Sequence, residues 1–94
     1  MNRHISLVHF TEKGAAGMKE SSDRAAAFAS KAKLLGVEVV AQYWSTGPID
    51  GFLILEGEFA AVLRCLADLN AEGFVRTETH PAIDAGEFRR ITNG

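Results

Sequence analysis

Cysteine is nearly missing from this chain, with Cys65 the sole one in 94 residues. One thiol cannot close an internal disulfide, so a packed core has to hold the fold, and the cytoplasm is the expected compartment. An excess of positive charge is missing as well. Ten Lys and Arg stand against twelve Asp and Glu, interspersed along the chain, so no basic stripe exists to neutralise phosphates or to lie on an anionic membrane. Neither nucleic acid nor membrane is an expected partner. Met1-Asn2-Arg3-His4 runs directly into strand-like sequence, with no long apolar span and no apolar segment ahead of a small-residue cleavage site. Neither a transmembrane helix nor a signal peptide is expected. Also lacking are a glycine-rich phosphate loop, a Cys-x-x-Cys pair and any local context for a Ser-His-Asp triad; no cofactor is expected.

What is present suits one domain over residues 1–94. A monomer of this length hides only about 60–65% of the surface that its unfolded chain exposes, so association would help it. His4-Ile5-Ser6-Leu7-Val8-His9-Phe10 carries apolar groups at both parities, as a strand covered on both sides does. Thr11 to Glu20 reads as a loop with one helical turn. A helix follows from Ser21 or Ser22, either of which can cap it, to about Leu35. Ala25, Phe28, Ala32 and Leu35 share one face, Arg24, Lys31 and Lys33 lie off it, and Gly36 is placed to stop it.

Val37 to Trp44 alternates as an edge strand does, with Glu38, Gln42 and Trp44 on one parity and Val37, Val39, Ala41 and Tyr43 on the other. Gly47-Pro48-Ile49-Asp50-Gly51 is a turn in which Asp50 can bond nearby amides. Phe52 to Leu55 returns as a second central strand. Phe59, Val62, Leu63, Leu66 and Leu69 form a helical stripe. Phe74 to His80 is the last strand, closed by Pro81, and Asp84 to Ile91 forms a short helix.

The count β-α-β-β-α-β predicts an α+β, ferredoxin-like fold: a four-stranded antiparallel sheet with its helices on one face. The other face would hold apolar groups from the central strands together with Arg76, Glu78 and His80. A two-fold homodimer pairing these faces, a dimeric α+β barrel with an enclosed cavity, is the economical way to cover them.

With these segments placed, the sequence resembles the GYD-domain family, small bacterial proteins of the dimeric α+β barrel type. Ile5-Ser6-Leu7-Val8-His9-Phe10-Thr11 is similar to the family's opening strand, Lys19-Glu20-Ser21 with Arg24-Ala25 to its first helix entry, and Val75-Arg76-Thr77-Glu78-Thr79 to its closing strand. Tyr43-Trp44 with Gly47 and Asp50 sits where the family has an aromatic pair and a Gly-x-Tyr-Asp turn, with Ile49 in place of the tyrosine. The resemblance implies a fold and a dimer, and very little chemistry.

Six residues are candidates for ligand contact: His9, Trp44, Asp50, Arg76, Glu78 and His80. Arg76 and Glu78 stand about 6–7 Å apart along one strand face, close enough to share a small polar ligand or to pair with each other. A guanidinium there can hold a carboxylate or enolate while Glu78 or a histidine moves a proton. Tyr43 and Trp44, adjacent on a strand, point to opposite faces, so only one of them lines a given pocket; core plus interface is the ordinary use of such a pair. His4, His9 and His80 match no metal-ligand spacing, His4 and His9 differ in parity, and His4 is expected to be exposed, so no metal is expected. Cys65 reads as a packing thiol.

The expected function is a homodimer binding a small, partly apolar molecule between the sheet and its partner. The alternatives are a cofactor-independent oxygenase or isomerase, with Arg76 orienting an anion and His9 or His80 taking a proton, and a structural or regulatory interaction module.

Overall fold

The computed structural model describes residues 2–94. Strands β1 (Arg3–Phe10), β2 (Glu38–Trp44), β3 (Gly51–Glu56) and β4 (Val75–Ala82) form one antiparallel sheet in the order β2-β3-β1-β4. The two segments with apolar residues at both parities, β1 and β3, are the two central strands. They pair from Arg3 against Glu56 to Val8 against Gly51. The strand β4 flanks β1, from Arg3 opposite Ala82 to Phe10 opposite Val75.

Helices α2 (Ser21–Leu34) and α3 (Phe59–Ala71) pack on the same face of the sheet. Phe28 and Ala32 of α2 and Val62, Cys65 and Leu66 of α3 bury against Val37, Leu53 and Leu55. A short helix α1 (Glu12–Ala16) and a single 3-10 turn, Met18–Glu20, lead into α2, and α4 (Ala85–Asn93) follows β4. Thr11 caps α1 by accepting from Gly14 N, and Asp84 caps α4 by accepting from Glu87 N.

Several details differ from the sequence reading. Thr11 to Glu20 is mostly helical rather than loop. Neither serine caps α2: Glu20 occupies the cap position without a side-chain bond, and the Ser21 hydroxyl accepts from the Trp44 indole N–H at 3.0 Å. Gly36 does end α2, at φ +83°. A register shift between Val39 and Ala41 breaks the alternation of β2. Val39 therefore faces the core, whereas Ala41 and Tyr43 lie opposite Ile54 and Phe52 on the other face. On α3 the buried stripe is Val62, Cys65 and Leu66, while Phe59 and Leu63 are exposed. Pro81 does not close β4. It lies within this edge strand opposite His4, where its missing N–H costs no ladder bond on the solvent side. His4, expected at the surface, is only 5% exposed, because β3 and β4 flank it and the Phe59 ring lies 6.0 Å from its own.

Two polar ties join elements, one between neighbouring strands and one between helix and sheet. The hydroxyls of the fully buried Ser6 and of Thr79 meet at 2.7 Å. Asn70, at the end of α3, donates to the Leu66 carbonyl (2.7 Å) and to Thr77 Oγ1 (2.8 Å), and its Oδ1 accepts from the Thr77 N–H. Asn70→Ala leaves the Thr77 amide without its side-chain acceptor and is expected to cost about 2 kcal/mol. Urea denaturation measures this, and an unchanged midpoint would show that water replaces the side chain.

Candidate functional site

The parity of the strands sorts the candidate residues onto two sides of the sheet. Positions Arg3, Ile5, Leu7 and His9 of β1 face away from α2 and α3, opposite Ala82, His80, Glu78 and Arg76 of β4 and, on the β3 side, Glu56, Ile54 and Phe52. The centre of this open face is thus aliphatic and aromatic, and its β4 margin carries Arg76, Glu78 and His80. Arg3 and Glu56 form an ion pair at one end.

Arg76 and Glu78 do not pair with each other. Glu78 Oε2 meets His80 Nε2 at 2.6 Å, and Arg76 lies directly across from His9. His9 Nδ1 is 2.8 Å from the Pro48 carbonyl oxygen. A carbonyl can only accept, so Nδ1 carries the proton, and Nε2 is the free nitrogen of the neutral ring. The three histidines are not brought together. His4 is on the helix side, and His80, level with Ile5, is four residues from His9, about 13 Å along the strand. Among the described residues no three His, Cys, Asp or Glu side chains converge as metal ligands.

Trp44 and Asp50 lie on the helix side, in a cleft of about 70 Å³ between α2 and the sheet. Its floor comes from Val8, Phe10, Leu53 and Val75, and Arg24, Phe28 and Phe74 contribute to its walls. The turn before β3 is folded back onto β1. Asp50 N donates to the Val8 carbonyl (2.9 Å), Ser45 N to the Asp50 carbonyl (2.8 Å), and Asp50 Oδ2 accepts from Phe10 N at 2.8 Å. Asp50 therefore clasps the turn to the central strand, where the sequence suggested bonds to its own neighbours. Gly51 is required beneath it, since a Cβ there would come 2.7 Å from the Tyr43 carbonyl oxygen. Tyr43 and Trp44 are 61% and 51% exposed, so neither is a core residue.

Arg24 and Phe74, which also line this cleft, were not among the six candidates read from the sequence. Arg24 lies off the apolar stripe of its helix, and no periodicity marks a guanidinium that folds back over a ring. It donates from Nη1 to the Gly17 carbonyl at 3.0 Å and stacks 4.2 Å from the Phe74 centroid. Lys13 Nζ is also 4.2 Å from that centroid, as the negative face of a ring favours. Cys65 is buried; desolvation, and then the Asp68 carboxylate, push its thiol up. The reactive thiolate is thereby disfavoured, which fits packing.

Four antiparallel strands in this order, with α2 and α3 on one face, define an α+β ferredoxin-like protein. The family model for the GYD domain matches residues 4–92, so the chain belongs to the GYD domain family. Neither the curated proteins nor the solved structures gave a match. No helix among the described residues is long and apolar enough to cross a membrane.

Proposed function

We propose that the protein is a cytoplasmic homodimer that pairs the open faces of two sheets and holds a small, partly apolar molecule between the sheet and its partner. The observation that carries this reading is the open face itself. The chain measures 49 × 31 × 17 Å, and its short dimension accommodates one sheet and one helix layer, about 10 Å apart. Ile5, Leu7, Phe52 and Ile54 are only half-buried on the side that α2 and α3 leave uncovered. A contiguous apolar patch of this kind, rimmed by polar groups, marks an interface. None of the residues of helix α4 is buried, and its exposed Phe88 and Ile91 are further apolar surface that a partner could cover.

Arg76, Glu78, His80 and His9 at the margin would then face the enclosed space, where a guanidinium and a carboxylate–imidazole pair can orient a small anion. The 2.6 Å contact between Glu78 and His80 also favours a second reading, cofactor-independent proton transfer of the isomerase or oxygenase type, with His80 as base.

Light scattering at micromolar concentration is expected to give twice the 10.2 kDa chain mass. A panel of planar carboxylates and phenols, followed by amide NMR, is expected to move the signals of His9, Arg76, Glu78 and His80 in the native protein and not in Arg76→Ala. A monomer in the first experiment sinks the dimer, and shifts unaffected by Arg76→Ala sink the site.

A further inference from the structure

We infer that the cleft between α2 and the sheet is a second binding site, separate from the open face, for a small carboxylate with an unbranched apolar tail, and that Arg24 holds its charged end. The lining is mostly apolar: Val8, Phe10, Phe28, Leu53 and Phe74. Three charged side chains border it, and their partners differ. Asp50 is engaged by the Phe10 N–H, and Glu72 by Lys31 at 3.7 Å. Arg24 has no carboxylate partner among the described residues. Its Nη1 is spent on the Gly17 carbonyl, and its Nη2 is a buried nitrogen with no hydrogen-bond partner.

A buried guanidinium N–H left unpaired is costly, and the group whose geometry answers it is a carboxylate, which accepts from the guanidinium fork. The stacking of Arg24 on Phe74 fixes the plane of that fork before a ligand arrives, so little ordering entropy is left to lose on binding. Lys13, over the same ring, adds positive potential.

Volume sets the shape of the ligand. A cavity of about 150 Å³ holds a benzene ring, and this cleft offers about half of that. An unbranched chain of a few carbons fits, and any remainder lies at the mouth against the exposed ring of Trp44.

Trp44 is the only tryptophan of the chain and borders the cleft, so its emission reports occupancy directly. The test titrates the intact protein with hexanoate, hexan-1-ol and hexylamine. Hexanoate is expected to shift Trp44 emission saturably, with an affinity at least about tenfold above those of the alcohol and the amine, as one charge-assisted bond provides. Arg24→Gln is expected to remove that tenfold preference while leaving the weak binding of hexan-1-ol in place. Arg24→Lys should recover part of it. The inference is overturned if hexan-1-ol binds the native protein as tightly as hexanoate, a comparison that stands even where Arg24→Gln folds poorly. It is equally overturned if Arg24→Gln keeps the preference, or if no saturable shift occurs. Sensitivity to Arg76→Ala instead of Arg24→Gln would assign the acid to the open face and refute the second site, so the two sites fail separately.

Discussion

Leu7→Glu is expected to break the proposed dimer into monomers at micromolar concentration while leaving the circular dichroism of the chain unchanged. Leu7 sits on a central strand with Phe52 on one side and Glu78 on the other, on the face turned away from α2 and α3. In a lone chain a carboxylate there reaches water, so the fold tolerates it. In a two-fold pairing of open faces the substitution occurs twice, and each carboxylate enters an apolar contact directly opposite Glu78, whose like charge repels it. Burying unpaired charges costs several kcal/mol. A total of about 4 kcal/mol raises Kd roughly a thousandfold. Leu7→Lys is the discriminating control, because Glu78 lies directly across from position 7 and can pair with the new ammonium, so its loss should be smaller. Light scattering reads both variants. A Leu7→Glu protein that keeps twice the chain mass would place the interface elsewhere.

The elements legible in the sequence were those whose burial repeats at a fixed spacing. The even apolar run of β3 and the two-sided β1 could only be central strands, and Gly36 at the end of α2 adopts the positive φ expected of it. What could not be read depended on partners distant in the chain. Val39, Val40 and Ala41 are all apolar, so the register shift among them leaves no mark on the hydrophobic pattern, yet it decides that Tyr43 lies on the open face. His4 is polar and close to the start of the chain, and only its place in a central strand, between β3 and β4, makes it a core residue. Three of the candidate residues, Arg76, Glu78 and His80, share one face as strand parity foretold, and the pairing of β1 with β4 brings His9 to the same face. Trp44 and Asp50 belong to the other, since the turn folds back to give Asp50 the Phe10 amide. Arg24 was hidden for a related reason: its position on the helix wheel is peripheral, and a long side chain that lies along an aromatic ring can reach inward from there.

The junction before α2 looked like the least constrained part of the chain, and Gly14→Ala is expected to be among its most damaging single-methyl changes. A Cβ at Gly14 would lie 2.9 Å from the Phe74 carbonyl carbon and closer still to its oxygen. That carbonyl is backbone and already accepts from Thr11 N at 3.1 Å, so it cannot move aside. Helix α1 would have to lift instead, loosening the bonds from Thr11 Oγ1 to the Gly73 carbonyl (2.6 Å) and from Lys13 Nζ to the Glu72 carbonyl (3.2 Å). Overpacking with loss of such bonds costs about 3 kcal/mol. Gly36→Ala is the reference: nothing lies within 4 Å of its Cβ position, and only the positive φ opposes the methyl, for about 1–2 kcal/mol. Urea midpoints should therefore fall further for Gly14→Ala than for Gly36→Ala, and the reverse order would refute the steric argument. The displacement has a functional side as well. Gly17, which follows α1 directly, supplies the carbonyl that holds Arg24 Nη1, so lifting α1 frees the guanidinium from its fixed plane. Gly14→Ala should then weaken hexanoate binding at temperatures where the variant is still folded, whereas Gly36→Ala, at the far end of α2, should not.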